Sequence, residues 1–559
     1  MKNSLITAIL VVFLLGITII IISGVFYYNI TKEPYVDSNS ILVLDIHGNI
    51  TDTKIDAFSK YLTIKELFIT LERAKNDKRI KSVLLKIYPI KTGFAKVHEM
   101  GDMINDFKTS GKPINSVIIA GGLRELYLAS FTDKVYLQKD GDLFVNGIAA
   151  ETIFLKDLFS KIGIKAQFFK IGKYKTAANM YTKNSLTPEH KESLETLLND
   201  IYNSVIKQLA KNRKIDYKKI DNIINNIPIY PKDYINIGLI DGIISDNEIK
   251  KTIIKDLNKI SFENYKKISS PSLTKGSSKI AVLFATGEIH LGSSGSSGLT
   301  GNTILGSETI IHYLNKIKNK KNIKALILRV DSPGGSSTAS DLIKNKLDEI
   351  SKKIPVVISM SDLAASGGYW ISMSSKKIVA HQETITGSIG VLGGKFILKG
   401  LYDKIGLKKA IIKTTKFSDT FSDYRYLTEE EMNYFYNVIK RIYSKFIRIV
   451  AKNRKMKVEE VDKIAQGRVW SGIHAKSLNL IDDFGGLVKS IEIAKELAGI
   501  KKDQKVGLKF YPIEKTIMDV INNYIGAESS LSYKKILEKF KTYKDFLPAL
   551  ILPYQLKFL

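Results

Sequence analysis

Residues 354–391 read IPVVISMSDLAASGGYWISMSSKKIVAHQETITGSIGV, and this stretch decides both the fold and the chemistry of the chain. Residues 356–359 are mostly β-branched, which predicts a strand that ends in a turn. The small residues 364–368, AASGG, then predict the start of a short buried helix. Ser366 lies at this turn, where the free N–H groups of a helix N-terminus favour negative charge. A nucleophile that attacks a carbonyl needs such surroundings, and a tight packing contact is the alternative explanation.

Composition limits the classes of protein that the chain can belong to. Its 559 residues predict two to four domains, and a hydrophobic fraction of 44% is that of a globular protein. It has no cysteine, which excludes thiol catalysis, disulfides and cysteine-ligated metals. The net charge of +29 first suggests nucleic acid. The lysines are spread along the whole chain, so we expect general lysine enrichment and no nucleic-acid partner. Contact with anionic lipid is compatible with this charge.

Residues 5–26, LITAILVVFLLGITIIIISGVF, are nearly uniformly apolar. About 22 helical residues span the roughly 30 Å hydrocarbon layer, so this segment predicts a transmembrane helix. Lys2 precedes it and favours a cytoplasmic amino terminus. No clear small-x-small cleavage site follows, so we expect an uncleaved anchor, with a cleaved signal peptide as the alternative. The rest of the chain is then expected on the far side of the membrane.

The remainder has an α/β pattern that occurs twice. Residues 41–45 and 82–87 predict strands, and residues 64–75 between them predict a helix. Four short sequences recur at an offset near 240 residues: RIKSVLLKI at 79–87 and NIKALILRV at 322–330, KIGIK at 161–165 and KIGLK at 404–408, AKNRK at 210–214 and 451–455, and LID at 239–241 and 480–482. The offset is far too long for a solenoid repeat, so it indicates a duplicated domain.

These features divide the chain into five parts. We predict an anchor at 1–30, a first repeat at 40–268, a linker at 269–278, a second repeat at 279–499 and a tail at 500–559. The linker, SSPSLTKGSS, is polar and contains Pro and Gly. The tail shows helical patterns around 515–524 and 534–546, and its apolar end is expected to pack on the body, on another subunit or on the membrane.

The two repeats differ at the positions that carry chemistry. The second has DSPGGS at 331–336, where Pro fixes one φ and the glycine pair lets backbone N–H groups face a ligand. The first has YPIK at 88–91 instead, without the glycine pair. Aligning the motifs places Leu123 of the first repeat at the position of Ser366.

The first repeat instead offers a lysine. Lys175 follows KIGIK in the segment GKYKTA at 172–177, and its counterpart in the second repeat is Ser418. The seven histidines lie in no recognisable triad setting, but a neutral lysine can serve a serine nucleophile as base. The pKa of such a lysine must fall from about 10.4, which burial achieves. A solvated surface lysine is the alternative explanation.

Three motifs, in this order and spacing, carry a resemblance to a known family: SPGG at 332–335, AASGGYWIS at 364–372 and TGSIG at 386–390. Together with the anchor, the duplication and GKYK at 172–175, they make the sequence similar to the signal peptide peptidase A family, also called protease IV, in its long bacterial form. The resemblance covers the chain from Met1 to about Gly499.

The resemblance implies an α/β fold of two tandem Clp-protease/crotonase-like domains after an N-terminal transmembrane helix, with a serine–lysine dyad. Ser366 falls on the family's nucleophile and Lys175 on its general base. Ser388 falls on a serine that hydrogen-bonds this lysine. The dyad needs no metal or cofactor. Whether Ser366 meets the Lys175 of its own chain or of a neighbour stays open.

The resemblance also implies an oxyanion hole. Backbone N–H groups of Gly335 and Gly367 are expected to form it, with Gly334 as an alternative to Gly335. Each such donor contributes about 3–4 kcal/mol to stabilisation of the transition state.

The implied function is a membrane-anchored serine endopeptidase that degrades cleaved signal peptides and other apolar peptides. The family's location is the cell inner membrane, single-pass, with the catalytic body on the periplasmic side, and its long form is typically a homotetramer. Residues 176–180, TAANM, depart in detail from the family pattern, which affects substrate preference more than chemistry.

Two other functions stay open. The fold and an oxyanion loop would also serve a crotonase-type acyl-CoA hydrolase or hydratase, and an oligomeric ring would serve as a catalytically silent membrane scaffold. Residues 293–301, SSGSSGLTG, have no apolar anchor and predict a mobile loop, either a plain insertion or an entrance lid.

Overall fold

The computed structural model describes residues 33–54, 61–226, 228, 230–268, 278–296, 303–501, 504–513 and 549–550, together with residues 10, 13, 14, 16–18, 21 and 24. The predicted anchor at 5–26 and the linker at 269–278 lie mostly outside these residues. The helices predicted at 515–524 and 534–546 lie entirely outside them, as do residues 297–301 of the predicted mobile loop. Within the described part of the chain, no helix combines the length and apolar character that crossing a membrane requires.

Each repeat is built on a sheet of parallel strands with the same topology. The first sheet has six strands in the spatial order Gly242–Ile244, Lys134–Gln138, Ile114–Ile118, Ile80–Lys91, Ser40–Asn49 and Asn258–Ser261. The equivalent strands of the second sheet are Asp483–Phe484, Lys377–Ala380, Val356–Ala365, Ile323–Ser332, Lys279–Thr286 and Gly507–Tyr511. This shared order confirms the predicted duplication and the α/β class.

Shorter strands complete the architecture. Ile385–Gly387 and Val469–Ser471 extend the second sheet beyond the end of Val356–Ala365, and Gly121–Gly122 pairs with Leu143–Phe144 in the first repeat. A five-stranded sheet contains Gly295–Ser296, Thr303–Gly306, Glu288–His290, Gly335–Ser336 and Ala549–Leu550. Lys165–Ile171 and Val391–Ile397 form a separate antiparallel pair.

The helices pack against these sheets. In the first repeat they are Ile64–Asn76, Phe94–Lys108, Leu123–Ala129, Lys156–Ile162, Asn179–Thr182, Pro188–Arg213, Tyr217–Asn225, Lys232–Asn236, Asp246–Glu248, a π-helix at Ile249–Ile254, and Phe262–Tyr265. In the second they are Ser307–Lys318, Ser337–Ser351, Gly367–Ile371, a 3-10 turn at Ser372–Ser374, Lys399–Lys404, Glu429–Arg454, Val458–Ile464, Gly472–Ser477 and Leu487–Leu497.

The repeated sequences AKNRK and LID form one structural unit in each repeat. The two long helices end in these lysine-rich segments, each with a left-handed lysine as C-cap. Arg213 Nη1 then lies 3.0 Å from an Asp241 carboxylate oxygen, and Arg454 Nη1 lies 2.9 Å from Asp482. Each aspartate also accepts the backbone N–H that begins a sheet strand, Val135 or Ile378. Both motifs therefore recur because the arginine and the aspartate fasten the long helix to the sheet edge.

Two sequence predictions are corrected in the second repeat. The strand predicted at 356–359 continues to Ala365, so the turn comes directly at Ser366. The boundary predicted at 499 is too early, because Gly507–Tyr511 pairs with Lys279–Thr286 as Asn258–Ser261 pairs with Ser40–Asn49. The segment after 499 shows no sequence repeat because its strand, GLKFY, does not resemble its counterpart, NKIS, in the first repeat.

One apolar core joins the two repeats. A single cluster of buried residues contains Leu44 and Val83 of the first sheet together with Val282 and Ile327 of the second. The alternate face of the second sheet packs in another cluster with the long helix Glu429–Arg454. Successive strand residues point to opposite faces, so one sheet contributes to both clusters. The shared core fixes how the repeats sit against each other.

Candidate active site

Ser366 lies at the end of the central strand of the second repeat. Its N–H donates to the Gly387 carbonyl at 2.8 Å, and its own carbonyl accepts from Trp370 N–H at 2.9 Å. Ser366 is fully buried and has a φ of 55°, a conformation that non-glycine residues adopt rarely and that clusters at functional sites. The predicted strand-to-helix turn is therefore present, and the short helix Gly367–Ile371 begins one residue later.

Lys175 reaches this serine from the first repeat. Its Nζ lies 2.9 Å from Ser366 Oγ, 2.9 Å from Ser388 Oγ and 3.1 Å from the Ser388 carbonyl oxygen. All three residues belong to one chain and are completely buried. The structure thus places Ser366 beside the Lys175 of its own chain.

The antiparallel pair Lys165–Ile171 and Val391–Ile397 brings the two repeats together at this point. Ile171 pairs with Val391, so the turn at 172–175 starts beside the segment that carries Ser388. Lys173 lies on the same turn but is exposed, with its ammonium over the Tyr174 ring. The segment is a turn, on which Lys173 is exposed and Lys175 is buried.

Burial lowers the pKa of Lys175 from its ordinary value of 10.5 to about 7. Water cannot solvate the ammonium there, which penalises the charged form. A neutral amine has two N–H donors and one lone pair. The two donors suit the carbonyl and hydroxyl oxygens of Ser388, and the lone pair then accepts the Ser366 hydroxyl proton. The geometry and the protonation state are both those of a general base.

Ser388 is held in place by the segment of the same chain that contains Arg468. Its N–H donates to the Arg468 carbonyl at 2.7 Å, and its φ is 50°. Both of its oxygens thereby face Nζ of Lys175. Ser388 orients the amine toward Ser366.

The glycine loop lies against the nucleophile turn. Gly334 and Gly335 have φ values of 101° and 146°, which exclude most side chains. A Cβ added at Gly367 would lie 3.2 Å from the Gly335 backbone nitrogen, so these two glycines are close neighbours. The Gly334 N–H already donates to Ser332 Oγ at 3.2 Å. This bond favours Gly335 over Gly334 as the partner of Gly367 in an oxyanion hole.

Three residues that the sequence did not single out secure the lysine turn. Tyr174 donates its hydroxyl hydrogen to Glu192 at 2.9 Å, and Arg468 lies over the Tyr174 ring and pairs with Glu192 at 2.6 Å. Gly467 touches the turn directly, because a Cβ there would lie 2.6 Å from the Lys175 Cβ. No motif marks these residues, and the contacts of Arg468 and Gly467 cross from the second repeat to the first.

The equivalent site in the first repeat has no nucleophile. Ala365 pairs with Gly387 immediately before Ser366, and Gly122 pairs with Phe144 immediately before Leu123. This register places a buried leucine where the second repeat has its serine. Ser418, the predicted counterpart of Lys175, is exposed on the segment 407–427.

Among the described residues, one group has ligand atoms suited to a metal ion: His98, His381 and Glu383, whose ligand atoms lie within 4.8 Å of one another. Glu383 already accepts hydrogen bonds from His98 at 3.0 Å, from Ser204 at 2.5 Å and from Tyr127 at 3.4 Å. The carboxylate is therefore satisfied by protein donors. The hydrogen bond between His98 and Glu383 joins the two repeats.

The sequence model of peptidase family S49 matches residues 106–259 and 348–501, which together exceed half of the chain. The chain belongs to peptidase family S49. One match falls in each repeat, so the family domain is present twice. The first match contains Lys175, and the second contains Ser366 and Ser388.

Individual relatives in this family match most of the chain. Serine protease SPPA, chloroplastic, from Arabidopsis thaliana is 34% identical over 85% of this chain and 71% of its own length. Protease 4 from Salmonella typhi is 30% identical over 86% of this chain and 81% of its own length. Protease 4 from Haemophilus influenzae is 28% identical, with coverages of 85% and 82%. The family and these relatives make this chain a serine protease.

The chain also shows a weak similarity to a solved structure. A ClpP1 mutant structure from Listeria monocytogenes aligns with 38% of this chain and 95% of its own, at 14% identity. Its TM-score is 0.25, which is too low to decide the fold.

The pH dependence of activity tests the base. We expect kcat/KM on an uncharged apolar peptide to rise through an apparent pKa of about 7 and then level off, because only the neutral Lys175 amine accepts a proton. Lys175→Arg should lose activity at every pH, by about 100-fold or more, since arginine stays protonated. The exposed Lys173→Ala is the matched control and should retain most activity. Activity in Lys175→Arg, or a loss confined to Lys173→Ala, would refute this assignment.

Proposed function

We propose that this serine protease is a membrane-anchored endopeptidase with a Ser366–Lys175 dyad. The observation that carries the proposal is the 2.9 Å contact between Lys175 Nζ and Ser366 Oγ at a site where burial lowers the pKa of the amine to about 7. A serine hydroxyl is a weak nucleophile at its own pKa and needs a base at this distance.

The reaction proceeds in two halves. Ser366 Oγ attacks the scissile carbonyl carbon while its proton passes to Lys175 Nζ. The resulting ammonium protonates the leaving amine, the C–N bond breaks, and an ester to Ser366 remains. Water then gives a proton to the neutral Lys175 and attacks the ester carbonyl, which releases the new carboxyl end and returns the proton to Ser366 Oγ. No metal or cofactor enters these steps.

The N–H groups of Gly335 and Gly367 are the proposed oxyanion donors. They lie on adjacent segments, and the Gly367 N–H begins a helix, where donors are free and negative charge is favoured. Such preorganised donors stabilise the tetrahedral intermediate without reorganising during the reaction. The close approach of the two glycine segments supports this role.

The substrates that we propose are apolar peptides, in particular signal peptides left after cleavage, whose central regions have roughly 7–15 apolar residues. A small apolar pocket is lined in part by Phe169, Gly393, Gly394, Phe421, Leu427 and Phe435. Two of its walls belong to the strand pair that ends beside Ser388. The family resemblance of the sequence supports the same class.

An acyl-CoA hydrolase or a scaffold fits the site less well. A thioester is cleaved without protonation of an amine, whereas a peptide requires a base that returns its proton to the leaving nitrogen. A scaffold requires neither Ser366 nor a buried lysine whose lowered pKa reduces the stability of the fold. The protonation state of Lys175 therefore favours peptide hydrolysis over both alternatives.

We also propose a location and an assembly. Residues 5–26 anchor the chain in the inner membrane, with the catalytic body on the periplasmic side, and four chains assemble together. The helices Lys156–Ile162 and Lys399–Lys404 support assembly, because neither buries a residue within the chain. Leu158 on the first of these helices is 51% exposed, and Ile405 at the end of the second is 63% exposed. These side chains form an apolar surface that a second copy would cover.

Replacing the nucleophile tests the proposed chemistry. Ser366→Ala should reduce turnover of an internally quenched apolar peptide by at least about 1,000-fold, because the acyl-enzyme cannot form. It should also abolish labelling by a fluorophosphonate probe, with unchanged circular dichroism. Ser375→Ala, a nearby serine outside the site, is the matched control and should behave as wild type. Wild-type turnover by Ser366→Ala, or tight coenzyme A binding with no peptide cleavage by the wild type, would contradict the proposal.

Removing residues 1–30 tests the anchor and the assembly. The full chain should stay in the membrane pellet after carbonate extraction, whereas the shortened chain should be released and still cleave a soluble peptide. Light scattering of the full chain in detergent should give the mass of four chains. Release of the full chain by carbonate would contradict the anchor, and a single-chain mass would contradict the assembly.

A further inference from the structure

A buried ion cluster connects the first repeat to both loops of the active site. Lys96 Nζ lies 2.5 Å from an Asp331 carboxylate oxygen and 3.0 Å from one of Asp362. The Lys96 side chain is only 6% exposed. Burial lowers the pKa of Lys96, but the two carboxylates more than offset this and keep it charged. One ammonium of the first repeat thus pairs with two carboxylates of the second.

Asp362 is also fixed by the helix on which Lys96 lies. Its carboxylate accepts the backbone N–H groups of Gly93 and Lys96, both at 2.9 Å. These are free N–H groups of the first turn of the helix Phe94–Lys108, whose N-cap residue Gly93 has no capping side chain. The helix N-terminus adds partial positive charge beside the carboxylate. Asp362 is therefore held by four donors of the first repeat: the Gly93 and Lys96 N–H groups, the Lys96 ammonium and the Thr92 hydroxyl.

Asp331 joins the same cluster to the chain around Ser366. Its second carboxylate oxygen accepts the Leu363 N–H at 3.2 Å, and Leu363 lies on the strand that ends just before Ser366. Asp331 itself lies near the end of the strand Ile323–Ser332, which leads to Gly334 and Gly335. The two aspartates precede, within a few residues, the nucleophile and the proposed oxyanion donor.

The charged residues of this cluster have no charged counterparts in the other repeat. The helices Phe94–Lys108 and Ser337–Ser351 are equivalent, and the residue in the second that matches Lys96 is Ala339. The first-repeat counterparts of Asp331 and Asp362 are Tyr88 and Ile119. The cation therefore occurs only in the repeat without the nucleophile, and both anions occur only in the repeat with it.

We propose that Lys96 is a positioning residue for catalysis, which holds the glycine loop and the Ser366 turn in register through Asp331 and Asp362. This inference rests on the proposed peptidase function. Without the ammonium, two carboxylates would face each other in a largely buried site and repel. The loops would then separate. A displacement of about 1 Å between reacting groups costs on the order of 100-fold in rate.

Lys96→Met removes the ammonium and keeps most of the side-chain volume. We expect kcat per active site to fall about 10- to 100-fold, with a smaller change in KM. Active sites are counted by the end point of fluorophosphonate labelling, and the rate of labelling should fall with kcat. Lys75→Met is the matched control, because Lys75 pairs with Asp106 at 2.7 Å within the first repeat and does not contact either loop. It should keep wild-type kcat.

A purely structural role predicts a different result. Fewer sites would then be labelled, but kcat per labelled site would equal that of the wild type, and this outcome would overturn the proposal. If Lys96→Met does not fold, Lys96→Met combined with Asp331→Asn removes the repulsion between the two carboxylates and keeps an oxygen for the Leu363 N–H. That double variant should fold with kcat per site still reduced, and wild-type kcat in it would equally overturn the proposal. Absence of labelling and turnover in the wild type would instead refute the peptidase function.

Discussion

The contact between the Lys175 amine and the Ser366 hydroxyl depends on a lysine that is fully buried and has a pKa of about 7. Between pH 7 and 10.5 the unfolded chain binds a proton at this side chain that the folded chain does not bind. Stability therefore rises with pH across this window, and at neutral pH the buried amine destabilises the fold. The shared apolar core and the pairing of Lys165–Ile171 with Val391–Ile397 offset that loss by fixing the two repeats together.

Duplication explains why such a site requires both halves. Two copies of one α/β domain provide two equivalent turns, and only one of them needs a nucleophile. At the other turn, Leu123 is buried and packs in the apolar core. We propose that the first repeat then supplies what the second lacks: the base from its turn at 172–175, and the cation Lys96 that pairs with Asp331 and Asp362. The junction between the repeats is thereby both the proposed active site and the place where these buried charges meet.

Much of this arrangement follows from the sequence, because motifs within one segment report local geometry. The repeated strands, the turn at Ser366 and the glycine loop at 334–335 are all continuous in sequence, and the family resemblance led to Lys175 and Ser388. The contacts of Lys96, Glu192 and Arg468 were not predicted, since each joins segments far apart in the chain and no motif marks them. The strand Gly507–Tyr511 was missed for another reason: a short edge strand carries too little pattern to be matched with its first-repeat counterpart.

The central claim is that one chain completes its own active site from its two repeats. Mixed assemblies of Ser366→Ala chains and Lys175→Ala chains, carrying different tags and purified through both, test it most directly by their turnover of an apolar peptide. The account predicts no activity above that of either variant alone, because each chain lacks one half of the proposed dyad. Activity restored in the mixed assemblies would contradict it, since that result requires Ser366 of one chain to meet Lys175 of another.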